Sequence, residues 1–215
     1  MSQKKEKKHR FLALSHLPMD IARLVCSPLL LLYRMKRKKP DGTAYEGHIK
    51  GGAVLAANHN TFSDTFLLGV AVWYRRMYFL AAEVVMRNKL RHWLLSGVGA
   101  IKIDRKGADI EAIRKSVGVL KDGHLLGIFP QGGISEEGQV EALKSGVVLI
   151  ALQAGVPIIP MHIAPAKHWY SRRVVVIGEP LDPRQYIQKK FPSTADIEEV
   201  AKKLMEEMNR CAAHQ

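Results

Sequence analysis

Cysteine is scarce in this chain of 215 residues, with only Cys26 and Cys211 near its opposite ends. That count and spacing argue against a disulfide scaffold and indicate a reducing compartment. The nine histidines show no repeated metal-ligand spacing, so no zinc or other metal site is expected. We therefore expect a single domain whose stability comes from a substantial hydrophobic core, with no metal and no cofactor.

Long apolar runs are also missing. The apolar region at residues 11–33 is interrupted by Pro18, Asp20 and Arg23, which leaves a run well short of the ~20 residues that span a membrane. No small-residue cleavage site follows it, which argues against a signal peptide. Basic residues flank the region on both sides: Lys4, Lys5, Lys7, Lys8 and Arg10, then Arg34, Lys36, Arg37, Lys38 and Lys39. This pattern favours a segment lying in the membrane interface, the alternative being an amphipathic helix packed on the domain with a solvated basic face.

Acidic residues are few, with 20 against 33 lysines and arginines, and the net charge is +13. Such an excess points to a polyanionic surface or to anionic substrates. A nucleic-acid-binding protein would need a recognised reading module or aromatic platforms on a basic surface, and neither is visible. An anionic membrane surface is therefore the expected partner, and no nucleic acid is expected.

The pattern of apolar segments predicts an α/β fold. Residues 1–40 read as a membrane-anchoring segment, and the turn at Pro40–Gly42 starts a domain at 41–215. Strands are predicted at 53–57, 77–82, 100–103, 125–129, 157–162 and 174–178, and helices at 65–73, 89–96, 109–120, 143–154 and 197–208. Their alternation predicts a mostly parallel, possibly mixed sheet flanked by helices, with functional loops beyond the carboxyl ends of the strands.

One stretch, residues 58–64, has the composition of a catalytic loop. His59 follows the strand predicted at 53–57, and Asp64 lies five positions later, close enough for its carboxylate to fold back onto the imidazole. A carboxylate that orients a histidine is the pair that general base catalysis uses. The alternative is that Asp64 only caps a helix and His59 packs. Ser63 as a nucleophile is the weaker enzyme hypothesis, because no G-x-S-x-G sequence is present.

Three further loops carry candidate ligand-binding residues. Arg105 and Lys106 follow a strand, where they either bind a phosphate or form a solvated surface turn. Gly132 and Gly133 follow another strand and form either an anion-accepting concavity or an ordinary tight turn. This loop lacks the Lys-Ser/Thr ending of a P-loop, so nucleotide binding is not indicated. Lys144 is a further candidate for an anion contact.

Four sequence blocks, taken together, are more specific than any one of them. The first has the pattern N-H-x-x-x-x-D from Asn58 to Asp64, and the others are Ile103–Arg105, Phe129–Gly132 and Val156–Pro160. In this order they resemble the glycerolipid acyltransferase family, typified by 1-acyl-sn-glycerol-3-phosphate acyltransferase, over about residues 45–180.

The resemblance implies transfer of a fatty acyl group from acyl carrier protein or acyl-CoA to a lysoglycerolipid hydroxyl, at the cytoplasmic face of a membrane. The acceptor it favours is 1-acylglycerol-3-phosphate, and the product is phosphatidic acid. His59 is the implied base and Asp64 its orienting partner. The residues expected to bind substrate are Asn58, Arg105, Lys106, Gln131, Gly132, Gly133 and Lys144.

The third block departs from the family. Gln131 stands where glutamate is usual, Gly133 where threonine is usual, and Ile134 where arginine is usual. The missing guanidinium weakens the case for a phosphate monoester and leaves open a lysolipid with another head group.

Overall fold

The computed structural model describes residues 17–26, 35–59, 61, 63–104, 109–130, 137–165, 173–189 and 192–213. These residues form a seven-stranded sheet. The strands are β1 (Lys36–Lys38), β2 (Ala53–Ala57), β3 (Met77–Ala82), β4 (Ala100–Ile103), β5 (Leu125–Ile128), β6 (Ile158–Ile163) and β7 (Val174–Ile177). All except β1 were predicted from the sequence to within one residue at either end.

The strand order in the sheet is β1-β7-β6-β2-β5-β3-β4. Every neighbouring pair is parallel except β6 and β7, which run antiparallel. This confirms the predicted mostly parallel, mixed sheet. β2 lies between β5 and β6, so the carboxyl ends of all three strands meet at one edge.

Helices cover both faces of the sheet. They are α1 (Leu17–Cys26), α2 (Ser63–Ala71), α3 (Lys89–Gly97), α4 (Ile110–Lys121), α5 (Glu137–Ala154), α6 (Pro183–Tyr186) and α7 (Thr194–Ala213). Alternate residues of β2 belong to two different core clusters, because successive side chains of a strand point to opposite faces. Val54 and Ala56 pack with α4, α5 and α7, whereas Ala53 and Leu55 pack with α2.

Some boundaries differ from the sequence predictions. α5 begins at Glu137 rather than at Leu143, since its polar first turns consist largely of good helix formers and carry no apolar period. α1 includes Pro18 at its second position, where a helix needs no backbone N–H donor. Residues 1–16 and 27–34, which belong to the predicted membrane segment, lie outside the described residues.

Parts of the first 40 residues belong to the folded unit. β1 pairs with β7 from Lys36↔Val174 to Lys38↔Val176. The sheet therefore includes residues on the amino-terminal side of the boundary expected at residue 40. An edge position tolerates this basic strand because its side chains stay near solvent. Ion pairing and packing also join α1 to the domain. Among the described residues, no helix is both long and apolar enough to cross a membrane.

The attachment of α1 centres on a buried ion pair. Arg76 donates from Nε to Asp20 Oδ1 at 2.9 Å and from Nη2 to Asp20 Oδ2 at 2.7 Å. Both side chains are buried, and the paired carboxylate raises the pKa of the Arg76 guanidinium. Beside this pair, the buried Met19 packs against Gly99, which has φ +97° and leaves no room for a Cβ.

Candidate active site

His59 lies two residues beyond the carboxyl end of β2. Because Ala56 of β2 is in register with Ile128 of β5, the residues that follow the two strands emerge side by side. Phe129, the first residue after β5, stacks on the imidazole with ring centroids 4.4 Å apart and planes inclined by 28°. The aromatic ring therefore supports one face of the His59 side chain.

Asp64 is held in the first turn of α2. Its Oδ2 accepts a hydrogen bond from the Thr61 backbone N–H at 2.7 Å, and its Oδ1 accepts one from the Thr61 hydroxyl at 3.0 Å. The backbone N–H of Asp64 donates to the Thr61 carbonyl at 3.0 Å, which closes the turn. The side chain is almost fully buried, and the amino-terminal end of a helix favours a negative charge at this position.

The two side chains face each other. His59 Nδ1 lies 3.6 Å from Asp64 Oδ2, within ion-pair range but longer than a hydrogen bond. Nδ1 is shielded from solvent and has no hydrogen-bond partner, while the imidazole as a whole is 27 % exposed. A movement of about half an ångström would give Nδ1–H a carboxylate acceptor, and such tightening in a substrate complex is common. With the proton held on Nδ1, Nε2 is the nitrogen that can accept another.

Asn58 fixes the backbone directly before His59. Its Nδ2 donates to the Ile163 carbonyl at 3.0 Å, and the Ile163 N–H donates to its Oδ1 at 2.7 Å. These bonds tie the carboxyl end of β2 to that of β6. Because the side chain is buried and both of its polar atoms are used, the structure gives Asn58 a positioning contact. Substrate binding by this residue stays a prediction.

Several predicted substrate-binding residues fall in segments outside the described residues: Arg105, Lys106, Gln131, Gly132 and Gly133. Lys144 is described and lies half-buried in α5, about two turns after the first residue of that helix. Its predicted anion contact is not tested by this placement.

Asp109 links the two ends of the segment that contains Arg105 and Lys106. Its Oδ2 accepts a hydrogen bond from the Asp104 N–H at 3.0 Å, and its Oδ1 accepts one from the Ala112 N–H at 2.9 Å as the N-cap of α4. The two backbone donors, Asp104 first, lower the pKa of the Asp109 carboxyl.

Sequence reasoning did not assign roles to Thr61, Phe129 or Asp109. Thr61 precedes Asp64 by three residues, and Asp109 precedes Ala112 by three, which is the usual spacing of side-chain capping bonds. Phe129 follows a strand adjacent to β2, but strand adjacency is not visible in the sequence. In the described part of the chain, no group of three or more His, Cys, Asp or Glu side chains could hold a metal ion.

The fold and the site together define a class, an α/β protein with a histidine–carboxylate pair beyond the carboxyl ends of parallel strands. Residues 33–164 match the family model described as Acyltransferase. Because this match covers more than half of the sequence, the chain belongs to the acyltransferase family.

Several relatives of this chain carry a more specific name. The chain is 29 % identical over 135 residues to the 1-acyl-sn-glycerol-3-phosphate acyltransferase of Bacillus subtilis, covering 60 % of this chain and 67 % of that protein. It is 28 % identical over 151 residues to the protein of the same name from Streptococcus pneumoniae, covering 69 % and 52 %. For the Limnanthes douglasii protein of that name, the identity is 31 % over 140 residues, covering 60 % and 49 %. The chain thus spans about half the length of the latter two relatives.

The fold is also found among solved structures. An example is the 1-acyl-sn-glycerophosphate (LPA) acyltransferase PlsC from Thermotoga maritima, with a TM-score of 0.59, 17 % identity, and coverage of 94 % of this chain and 84 % of that one. At this identity, the likeness establishes the fold alone.

Proposed function

We propose that this protein transfers a fatty acyl group from an acyl thioester to the free hydroxyl of a lysoglycerolipid. The favoured acceptor is 1-acylglycerol-3-phosphate, which would give phosphatidic acid. The observation that carries the proposal is the pair His59 and Asp64, facing each other at 3.6 Å beyond β2, in a member of the acyltransferase family. The names of the B. subtilis and S. pneumoniae relatives support the choice of acceptor.

The chemistry follows from the two side chains. His59 Nε2 takes the proton of the acceptor hydroxyl as its oxygen attacks the thioester carbonyl, and the developing imidazolium is stabilised by Asp64. The tetrahedral intermediate carries a negative oxygen that needs hydrogen-bond donors, a role we assign to loop amides near Gly132 and Gly133. When the intermediate collapses, the C–S bond breaks and the thiolate takes the proton from His59. The transfer is direct, with no acyl-enzyme.

The acceptor phosphate needs cationic partners. We assign this role to Arg105 and Lys106, with Lys144 as a further candidate, because cationic donors form the strongest hydrogen bonds to phosphate oxygens. Asp109, which links the two ends of the segment that carries Arg105 and Lys106, offers a way to test this assignment.

A second acceptor class is favoured by the third sequence block. Gln131 and Ile134 supply a neutral amide and an aliphatic side chain, so the block offers less positive charge than a phosphate monoester prefers. A lysolipid with a capped phosphate, or with a single anionic centre, would suit this block better. In competition assays, Ile134→Arg should then shift the preference towards 1-acylglycerol-3-phosphate. Exclusive use of that acceptor by the unaltered protein, with no gain from the arginine, would contradict this second candidate.

The donor and the location complete the proposal. The donor is acyl carrier protein or acyl-CoA, and the enzyme acts on the cytoplasmic face of an anionic membrane. The net charge of +13 supports membrane attraction, since each lysine or arginine near such a surface contributes about 1 kcal/mol.

A panel assay tests the proposed function. Purified full-length protein is incubated with acyl-CoA or acyl carrier protein thioesters and with 1-acylglycerol-3-phosphate, lysophosphatidylglycerol or lysophosphatidylcholine. Mass spectrometry of the lipid extract identifies the diacyl products. We expect phosphatidic acid as the main product. Thioester hydrolysis without a lipid product would instead indicate a hydrolase.

A further inference from the structure

The helix α3 exposes an unusual set of side chains. None of its residues is buried, although the helix contains two leucines and a tryptophan on one side. Leu90 is 63 % exposed, Trp93 is 70 % exposed and Leu94 is 50 % exposed. Their spacing of three and four positions places them on one face of the helix. Large side chains of this kind, exposed together on one face of a folded domain, often mark an interaction site.

α1 presents a second exposed apolar stripe. Leu17, Ile21 and Leu24 are each about half exposed and recur at the four- and three-residue spacing of a helix face. Met19 lies on the opposite side of α1, about 200° around the helix from Leu17, and it is buried. The apolar stripe therefore faces outward because the domain holds the other side of the helix.

The two helices are neighbours. A Cβ placed on Gly97, the last residue of α3, would lie 3.5 Å from the Cβ of Pro18, and Met19 packs on Gly99 just after α3. α1 also contacts α2, the helix that carries Asp64. The exposed apolar side chains thus lie on two adjacent elements, beside the helix that bears half of the proposed catalytic pair.

Basic residues predominate on and beside these helices, and the exposed Glu83 that precedes α3 is paired with Lys102. No acidic residue occurs between Glu83 and Asp104, whereas Arg87, Lys89 and Arg91 on or beside α3 are exposed. In the whole stretch from residue 7 to residue 40, the only acidic residue is Asp20. Because Asp20 is buried against Arg76, its negative charge does not reach the surface.

We propose that α1 and α3 together form a docking surface for an anionic phospholipid bilayer, with Trp93 at the lipid interface. The membrane-docking surface consists of Leu17, Ile21, Leu24, Leu90, Trp93 and Leu94. It differs from a simple amino-terminal anchor because half of it belongs to the helix between β3 and β4. The proposal rests on the proposed function, since a lipid acceptor has to be reached from a membrane.

The charge pattern distinguishes a bilayer from other occupants. A second copy of this chain would bring the same positive charges to the contact, and like charges oppose association. Anionic head groups are attracted to Arg87, Lys89 and Arg91 while the apolar side chains enter the acyl region. Tryptophan is enriched at membrane interfaces because its ring is apolar and its N–H can remain hydrated.

The test uses the full-length protein and vesicles of phosphatidylglycerol with phosphatidylcholine, or of phosphatidylcholine alone. In the triple variant, Leu90→Gln, Trp93→Gln and Leu94→Gln are combined. Since these side chains are exposed, thermal unfolding should be unchanged, whereas the partition coefficient for anionic vesicles should fall about 10-fold or more. Tyr186→Gln serves as the matched control, because Tyr186 is 48 % exposed on α6, outside the surface, and should bind normally.

Two further measurements examine the interface directly. Anionic vesicles should shift the tryptophan emission of the unaltered protein to the blue, and Trp93→Phe should lose most of that shift. Replacing Arg87, Lys89 and Arg91 by glutamine should weaken binding to anionic vesicles by about fivefold per charge. The same replacements should reduce the salt dependence of binding and leave binding to neutral vesicles almost unchanged.

The outcomes separate this surface from the proposed activity. Acyl transfer to detergent-dispersed lysolipid should be normal in the triple variant. An unaltered protein that is inactive with every lysolipid would refute the proposed function, but vesicle partitioning would still report on the surface. If the triple variant partitions onto anionic vesicles as strongly as the unaltered protein, the proposed docking surface is wrong. If the unaltered protein is a dimer without lipid and the triple variant is a monomer, the surface binds a second copy of the chain. That result would also overturn the proposed membrane docking.

Discussion

At the residue scale, Phe129 is the side chain whose contribution is least expected from its chemistry. It has no titratable group, yet its ring stacks on His59 at a centroid distance of 4.4 Å. The imidazole is thus held between a carboxylate on one side and an aromatic face on another. Since reacting groups must be placed to within about 1 Å, a supporting ring can influence turnover without touching the substrate.

Replacing Phe129 should separate this positioning role from substrate binding. We expect Phe129→Ala to lower kcat about 10-fold to 100-fold with a smaller change in KM. The imidazole loses its contact with the aromatic ring, whereas the proposed substrate-binding residues are not altered. Phe129→Tyr retains the ring and should restore most of the turnover. Steady-state kinetics on both variants make the comparison, with thermal unfolding as a check of folding. Equal kcat values for the alanine variant and the unaltered protein would refute the positioning role.

The residue scale also shows why the catalytic pair could be predicted and its surroundings could not. His59 and Asp64 lie five positions apart, so the turn between them brings their side chains together through local structure alone. Asn58 and Ile163 are 105 positions apart, and the bonds between them depend on β2 and β6 being neighbours. No local pattern encodes that pairing.

At the scale of elements, the buried pair Asp20–Arg76 joins α1 to the sheet. We expect Asp20→Ala to destabilise the protein by about 3–5 kcal/mol, because it leaves a buried guanidinium without a counter-charge. The double variant Asp20→Leu with Arg76→Met should recover most of this loss, since it removes both charges. Urea unfolding followed by circular dichroism gives the free energies. A loss below about 1 kcal/mol for Asp20→Ala would mean that α1 is not held by this pair.

Asp109 gives a second prediction at the element scale, concerning the loop between β4 and α4. We expect Asp109→Ala to cost about 1 kcal/mol of stability through the lost N-cap. It should also raise KM for the phosphate-bearing acceptor, because the hydrogen bond between Asp104 and Asp109, at the two ends of the segment with Arg105 and Lys106, is lost. A variant with unchanged KM would show that this link does not organise the phosphate site.

The pH dependence of the same variant follows from the lowered pKa of Asp109. A carboxyl group whose pKa is lower in the folded state stabilises the protein above its ordinary pKa of about 4, and this stability is lost as pH falls through the folded pKa. The stability difference between the unaltered protein and Asp109→Ala should therefore be constant from pH 5 to about 8 and narrow below about pH 4. Urea unfolding measured across this range makes the comparison. A difference that widened in acid would contradict the assignment.

The helices and strands were predicted correctly where the pattern of apolar residues was long and clear enough to be recognised. β2 and β5 are short apolar runs bounded by glycines or polar turns, and α7 carries a clear helical period. β1 has three basic residues and no apolar period, so only its pairing with β7 identifies it as a strand. The polar first turns of α5 escaped prediction for the same reason.

At the scale of the whole molecule, the net charge could be predicted from the sequence and the strand order could not. The net charge of +13 is a property of the composition, and it led directly to the expectation of an anionic partner. The order of the seven strands depends on long-range pairing that the sequence does not display. Consequently the joint exposure of α1 and α3, and the burial of the single acidic residue of the first helix, emerge only from the structure.

The central claim is that His59 acts as the general base when an acyl group is transferred from a thioester to a lysolipid hydroxyl. The most direct test follows phosphatidic acid formation from acyl-CoA or acyl carrier protein thioester and 1-acylglycerol-3-phosphate by mass spectrometry. It compares the unaltered protein with His59→Ala and Asp64→Asn, and uses Ser63→Ala as the control. We expect the rate to fall about 10²-fold to 10⁴-fold in the first two variants, with folding intact, and to change little in the third. Phosphatidic acid formation at a near-normal rate by folded His59→Ala would contradict the account.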